Sequence, residues 1–307
     1  MRPRTQTVLT SAAPPLAVPH VTAQTIGTVI TALTAIGALL FTGLSLYATQ
    51  QQNKVTEQGQ YTDRYTNAVE QLDQSGPDHL QGRLGAVYSL ERLARDSPRD
   101  QPTIIEMLSA FVRTSRPTPT TPPSGGFRVC PPTQRLTSDI QAALAVLGRR
   151  DHRYDNNTRV DLTRICLNGT DLSHMNLDGA DLSEADLTGA DLAGGTLERT
   201  KLYAANLVAV DLSGAKLRDA DLNGATLEKA SLVAADLHNA DLAFATLHGA
   251  ALHGADLGGA DLHDANLTGA TFRGADLRGA DLSSVLYDAK TDIQATKTDP
   301  TTIGQWW

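Results

Sequence analysis

Residues 181–192 read DLSEADLTGADL, with Leu182, Leu187 and Leu192 each preceded by an aspartate and spaced five apart. No regular element has that period, since helices repeat every 3.6 residues and strands every two. At 100° per residue, a five-residue step turns an α-helix by about 140°. Leucines so placed spread around the whole cylinder and leave no buried stripe. In a flat strand an odd period sends alternate leucines to opposite faces. The chain must therefore turn within every five residues so that each leucine returns to a common axis. That is a solenoid.

The pattern is long. Counted by fives from Leu162 to Leu282 there are 25 positions, of which 24 are Leu and one is Phe272. The residue two places earlier is Ala at 18 of them, the exceptions being Val160, Ile165, Thr170, Met175, Gly195, Thr200 and Val210. Two places after the leucine, Gly189, Gly224, Gly249, Gly269 and eight other glycines suit a tight turn, because glycine tolerates positive φ.

This pattern, as in Ala185-Asp186-Leu187-Thr188-Gly189, resembles that of pentapeptide-repeat proteins. The resemblance implies a mainly β fold, a right-handed quadrilateral β-helix with four pentapeptides per coil. Leucine and the small residue would point inward and the other three positions outward. Proteins with this motif include topoisomerase-protecting DNA mimics and many membrane-attached proteins.

Charge is unevenly spread. Residues 160–286 carry 19 acids and 8 bases, net −11, against −8 for all 307 residues, so an acidic rod is joined to a mildly basic N-terminal half. Cys130 and Cys166 make no disulfide framework and are expected as free thiols in a reducing compartment, pairing across the linker being the alternative.

Residues 5–53 contain no Lys, Arg, Asp or Glu, and Ile26–Leu46 is a mainly apolar run of 21 residues. That length crosses a hydrocarbon core of about 30 Å. Tyr47 stands where an interfacial aromatic belongs. A cleaved signal peptide fits less well, because the run is long and Leu46-Tyr47-Ala48 lacks a small residue at −3. Arg2 and Arg4 on one side nearly balance Lys54 and Arg64 on the other. Arg83, Arg92, Arg95, Arg99, Arg113 and Arg116 tilt the expectation toward a cytoplasmic body.

Short amphipathic helices are predicted over Tyr61–Leu72, Leu80–Arg95 and Thr103–Arg113. The stretches RYTNAVEQL, GRLGAVYSLERLARDS and TIIEMLSAFVR resemble the juxtamembrane segment of bacterial, often actinobacterial, membrane-anchored pentapeptide-repeat proteins. The expected order is thus a disordered N-terminus over 1–24, a transmembrane helix over 25–47 and a small α-helical segment over 54–113. A Pro-rich linker without its own core follows over 114–133. A capping helix and loop take 134–159, with Ser138 as N-cap and Gly148 as C′ residue. The β-helix then spans 160–286. A tail over 287–307, starting where Leu286 breaks register, ends in Trp306-Trp307, which would fold over the last coil or meet another copy.

No catalytic set emerges, and no cofactor or metal is expected. His238, His248, His253 and His263 fall on four different outward faces, so their imidazoles cannot converge on one ion. Acidic neighbours such as Asp186 and Asp191 sit on adjacent convex faces and share no substrate cleft. The patterned surface feature is the residue before each leucine. Asp161, Asp181, Asp221, Asp241, Asp261 and Asp281, interrupted by Lys201, share the most negative face. They form the candidate binding face, although aspartate also suits the turn itself.

The sequence therefore points to a non-enzymatic, single-pass membrane protein acting as a protein–protein interaction scaffold. Its partners would be the membrane, a further protein or a second copy of the chain, without direct nucleic-acid binding. The alternative is a DNA mimic that binds a type II topoisomerase through the acidic face. The rod has one net charge per about 2.7 Å over six coils at the usual strand spacing, against one per about 1.7 Å in duplex DNA.

Overall fold

The computed structural model describes residues 23–119, 130–131 and 136–304. Residues 1–22, expected to be disordered, and Trp306-Trp307 lie outside the described residues.

Helix α1 spans Ala23–Leu72. It contains a helix long and apolar enough to cross a membrane. Its apolar side chains face outward along the N-terminal half, with Leu39 74% and Phe41 76% exposed. Thr31 and Thr42 return their hydroxyls to the carbonyls of Gly27 and Ala38 at 2.9 and 2.8 Å, which removes a polar cost on that surface. The helix does not stop near Tyr47. Gln50 to Asn53 are polar but carry no breaker, so it runs on to Leu72, shortly before Ser75-Gly76-Pro77.

From Tyr61 onward the chain forms one compact unit. The end of α1 joins α2 (Leu80–Asp96), α3 (Gln101–Ser115) and α4 (Ser138–Gly148). Pro98 and Pro102 set the corner between α2 and α3 through a 3-10 turn at Pro98–Asp100. Helix α4 buries Ile140, Ala143, Leu144, Val146 and Leu147, because it lies between α2 and α3 and the solenoid. Its N-cap is Thr137, one place before the expected Ser138, and its C-cap is Arg149, so Gly148, expected just beyond the helix, is its last residue. Gly148 ends the helix against the solenoid, where an added Cβ would stand 2.6 Å from Met175 Cε. One continuous apolar core runs from Ala68 to Leu282.

In the solenoid, parallel bridges join residues 20 apart, as Asp161↔Asp181 and Asp186↔Asn206, so four pentapeptides make one coil. All 24 leucines and Phe272 are buried. Each leucine N–H donates to the next coil, as Leu187 to Asn206 at 2.8 Å, while Ala190 N–H closes the turn onto Leu187 at 2.9 Å. The expected mainly β content takes a minimal form. Among the described residues the solenoid has isolated bridges and no longer strand, because two of every five residues are spent turning. The second turn residue is always at positive φ, in 12 glycines and in 13 others including Arg164, Ala234 and Phe244. None of the 13 is Val, Ile or Thr, for which that conformation is most strained.

The pairing does not end at 286. Asn266↔Leu286, Thr271↔Asp292, Asp276↔Lys297 and Asp281↔Ile303 add a further coil. Two of its steps take six residues, so the period of five is lost. The backbone ladder continues without a leucine on the axis.

The ends of the Pro-rich segment are also ordered. Pro117 forms an antiparallel bridge with Ile165, and Cys166 N–H donates to Arg116 O at 2.8 Å. Asn176 N–H donates to Gly148 O at 3.2 Å. The first coil has no preceding coil to accept these donors, and the segment and α4 supply the acceptors in its place. Cys130 and Cys166 are not free thiols. They form a disulfide with their Cα atoms 5.7 Å apart, which corrects the expectation from composition.

Candidate interaction face

The six aspartates of the candidate face stand in one ladder with Lys201. All are half-buried. Each turns a carboxylate oxygen back on its own chain, accepting the N–H two residues on. The distances are 3.1 Å at Asp161, Asp181 and Asp221, 3.0 Å at Asp241 and Asp261, and 2.9 Å at Asp281. These are Asx turns. They give a local reason for aspartate or asparagine before so many leucines, independent of any partner.

Several of these carboxylates also have basic partners. Asp161 pairs with Arg113 of α3, Asp181 with Lys201 at 3.6 Å, and Asp261 with His263 at 2.7 Å. Burial opposes ionisation of Asp161, but the Thr163 N–H, the Thr163 hydroxyl and Arg113 together hold its pKa below the usual carboxylate value. The Ser283 hydroxyl and N–H do the same for Asp281. Hydrogen bonding to Asp261 raises the pKa of His263.

Sequence reasoning missed an aromatic group on this face. Phe244 is 56% exposed, sits at φ 59°, and meets the His263 ring edge-on at 4.8 Å between centroids. Tyr203, two places after Lys201 on the same ladder, is 51% exposed. A bulky residue at positive φ is uncommon, and that was the available signal. It becomes readable once the second turn position is known to be left-handed.

The other histidines stay apart. His248 meets Thr268 at 2.8 Å and His253 meets Thr271 at 3.4 Å, while His238 lies 3.8 Å from Asp256. No group of three or more metal-type ligands occurs among the described residues. On the helical body, Arg83 lines a hollow of about 460 Å³. Its guanidinium is already committed to Asp139 and to the carbonyls of Gln74 and Gly76. A second polar knot is structural as well. Gln101 donates to Asp151 O and Asp155 at 2.6 and 2.7 Å, and buried Arg150 pairs with Asp155 at 3.1 Å.

The family model for pentapeptide repeats matches in eight copies over residues 165–202, 205–243 and 245–283. Among solved structures, HetL from the cyanobacterium Nostoc sp. strain PCC 7120 is 34% identical over 45% of this chain and 73% of its own, with a TM-score of 0.32. It is described as a pentapeptide repeat protein involved in heterocyst differentiation regulation. A pentapeptide repeat protein from the Arabidopsis thaliana thylakoid lumen is 30% identical over 34% of this chain and 69% of its own, with a TM-score of 0.22. QnrB1, a plasmid-mediated fluoroquinolone resistance protein, is 22% identical over 43% and 78%, with a TM-score of 0.25. No curated protein matches. Residues 165–283 of the chain belong to the pentapeptide-repeat family.

Proposed function

We propose that this protein is a membrane-anchored, non-enzymatic interaction scaffold, and that the ladder from Asp161 to Asp281 is its partner-binding face. The observation that carries the reading is Phe244. It is an exposed aromatic ring, held at positive φ and edge-on to His263, flanked by Asp241 and Asp261. An aromatic anchor with charges around it is the usual make-up of a binding hot spot. The mainly apolar run of 21 residues from Ile26 to Leu46 supports the anchor, since its outward-facing side chains such as Leu39 and Phe41 suit lipid better than water.

The DNA-mimic reading is weaker. The acids that would imitate phosphates are tied into their own turns, and Asp161 and Asp181 face cations of the same chain. Changing Asp181, Asp221, Asp241 and Asp261 to Asn separates the two readings, because Asn keeps the turn acceptor while the charge goes. A DNA mimic would inhibit a type II topoisomerase at low salt and lose that inhibition in the variant. A scaffold would give no such inhibition, and its partner capture would depend on Phe244. Carbonate-resistant pelleting of the full chain tests the anchor. Recovery of the full chain in the soluble fraction without detergent would sink it.

A further inference from the structure

We propose that the chain after the apolar span lies on the oxidising side of the membrane, where a protein disulfide donor closes Cys130 onto Cys166. The anchor reading enters only through the membrane itself. The sidedness rests on the sulfur pair. Both cysteines are buried, at 4% and 3% exposure, and they join the far end of the Pro-rich segment to the first coil. Hydrogen bonds hold the same junction. Cys130 N–H donates to Asp186 at 2.9 Å, Asn168 donates to Pro131 O at 3.2 Å, and Thr118 N–H donates to Arg164 O at 2.8 Å. The two thiols are therefore brought together by the fold rather than by chance proximity of flexible ends. Buried structural disulfides of this kind persist in exported compartments and are rare in the cytosol.

The charges that argued for a cytoplasmic body have another use in the fold. Arg83 pairs with Asp139, Arg92 with Asp96, Arg95 with Glu91, Arg99 with Asp100 and Arg113 with Asp161, and Arg116 donates to Cys166 O at 3.3 Å. Arginines this far from the span say little about sidedness, which is set by residues close to its ends. Nearer the span, two cations stand on each side, but Lys54 and Arg64 follow Leu46 by 8 and 18 residues while Arg2 and Arg4 precede Ile26 by 24 and 22, so proximity leans toward a cytoplasmic body. The buried disulfide is the stronger indicator and points to an exported body.

Bond formation balances by thiol–disulfide exchange. A thiolate of the pair attacks the donor's disulfide and expels one donor thiolate, the second thiolate attacks this chain's sulfur in the mixed disulfide and expels the other, and the Sγ130–Sγ166 bond forms. The donor leaves as a dithiol, taking up the two electrons and the two protons released.

The test uses the full-length chain in intact cells, with a membrane-impermeant maleimide, with and without a membrane-impermeant phosphine reductant. The expected result is no label before reduction and two labels per chain after it, without lysis. Two labels without reductant, obtained only after lysis, would place free thiols in the cytosol and overturn the proposal. Two labels without reductant on intact cells would overturn the disulfide. Carbonate fractionation of the same cells keeps the anchor distinct. An oxidised pair found in a soluble exported fraction sinks the anchor and supports the sidedness. A membrane-bound chain with cytosolic thiols does the reverse.

Discussion

The carboxylate of Asp186, on the second coil, accepts the backbone N–H of Cys130 at 2.9 Å across 56 residues of chain. Asp186 is 2% exposed, and its other oxygen takes the Thr188 N–H at 3.0 Å, the Thr188 hydroxyl at 2.6 Å and Asn206 at 3.3 Å. It is one of a series of turn aspartates, here shared between its own turn and the returning segment.

Replacing Asp186 with Ala orphans these buried donors, each costing about 1–3 kcal/mol, so unfolding should come about 3 kcal/mol earlier. Asp186→Asn should fall between, because the amide keeps one oxygen for Thr188 but sets N–H against N–H at Cys130. Urea unfolding under non-reducing conditions measures both. Wild-type stability in the Ala variant would show that the junction at Cys130 holds without it.

The axis of the solenoid gives a second expectation. Leu222 is fully buried, and losing a leucine side chain from such a core costs about 2–5 kcal/mol. Leu222→Lys adds an unpaired charge and should abolish folding of the repeat. Asn223→Lys, one residue on, gives up only 3.4 Å contacts to Asp241 and should leave the circular dichroism and melting temperature nearly unchanged. Equal damage from the two would refute the division into inward and outward positions.

How much of this was legible depended on repetition. A signal stated 24 times, as by the leucine at Leu187, or 18 times, as by the alanine at Ala185, fixes the coil even from one sequence. The glycines at Gly189 and Gly224 announced the left-handed turn position. Features occurring once were not legible. Two cysteines 36 residues apart, with prolines between them, carry no distance information. The coil beyond Leu286 was hidden because backbone pairing continues after the leucines stop. The unbroken α1 was hidden because a polar stretch such as Gln50–Asn53 reads as a boundary while still forming helix. The acidic face was visible as a pattern, and its Asx turns give that pattern a local reason as well.

The pH profile should have two limbs. Burial would raise the pKa of Asp155, but bonds from His152, Arg150 and Gln101 outweigh it and hold the group low. Asp161 and Asp281 are also depressed. A depressed folded pKa stabilises above the unfolded value near pH 4, and that gain is lost as pH falls through the folded pKa. His263 runs the other way. Asp261 raises its pKa, so its contribution is complete below about pH 6.5 and fades as pH rises through the higher folded value. Denaturant midpoints from pH 3 to 9 should therefore fall on the acid side and drift down above neutrality. Asp261→Asn should flatten the upper limb and leave the acid limb in place. An unchanged upper limb would remove His263 as its origin.

The left-handed turn position separates stability from binding. A non-glycine residue there costs about 1–2 kcal/mol, while glycine costs about 0.5–1 kcal/mol in unfolded-state freedom. Ala234, exposed at φ 55°, has no partner ring, so Ala234→Gly should stabilise by roughly 0.5–1 kcal/mol. Ala234→Thr should destabilise, since a β-branched residue is worse there than alanine. Phe244→Gly relieves the same strain but loses the edge-on contact with His263, an aromatic pairing of about 0.5–1.5 kcal/mol. Its stability should therefore stay near that of the wild type. If the ring is retained for a partner, Phe244→Gly should lose partner capture from detergent-solubilised membranes while Ala234→Gly keeps it, with both proteins folded. A Phe244→Gly protein that captures its partner as well as the wild type would take the aromatic group out of the binding face.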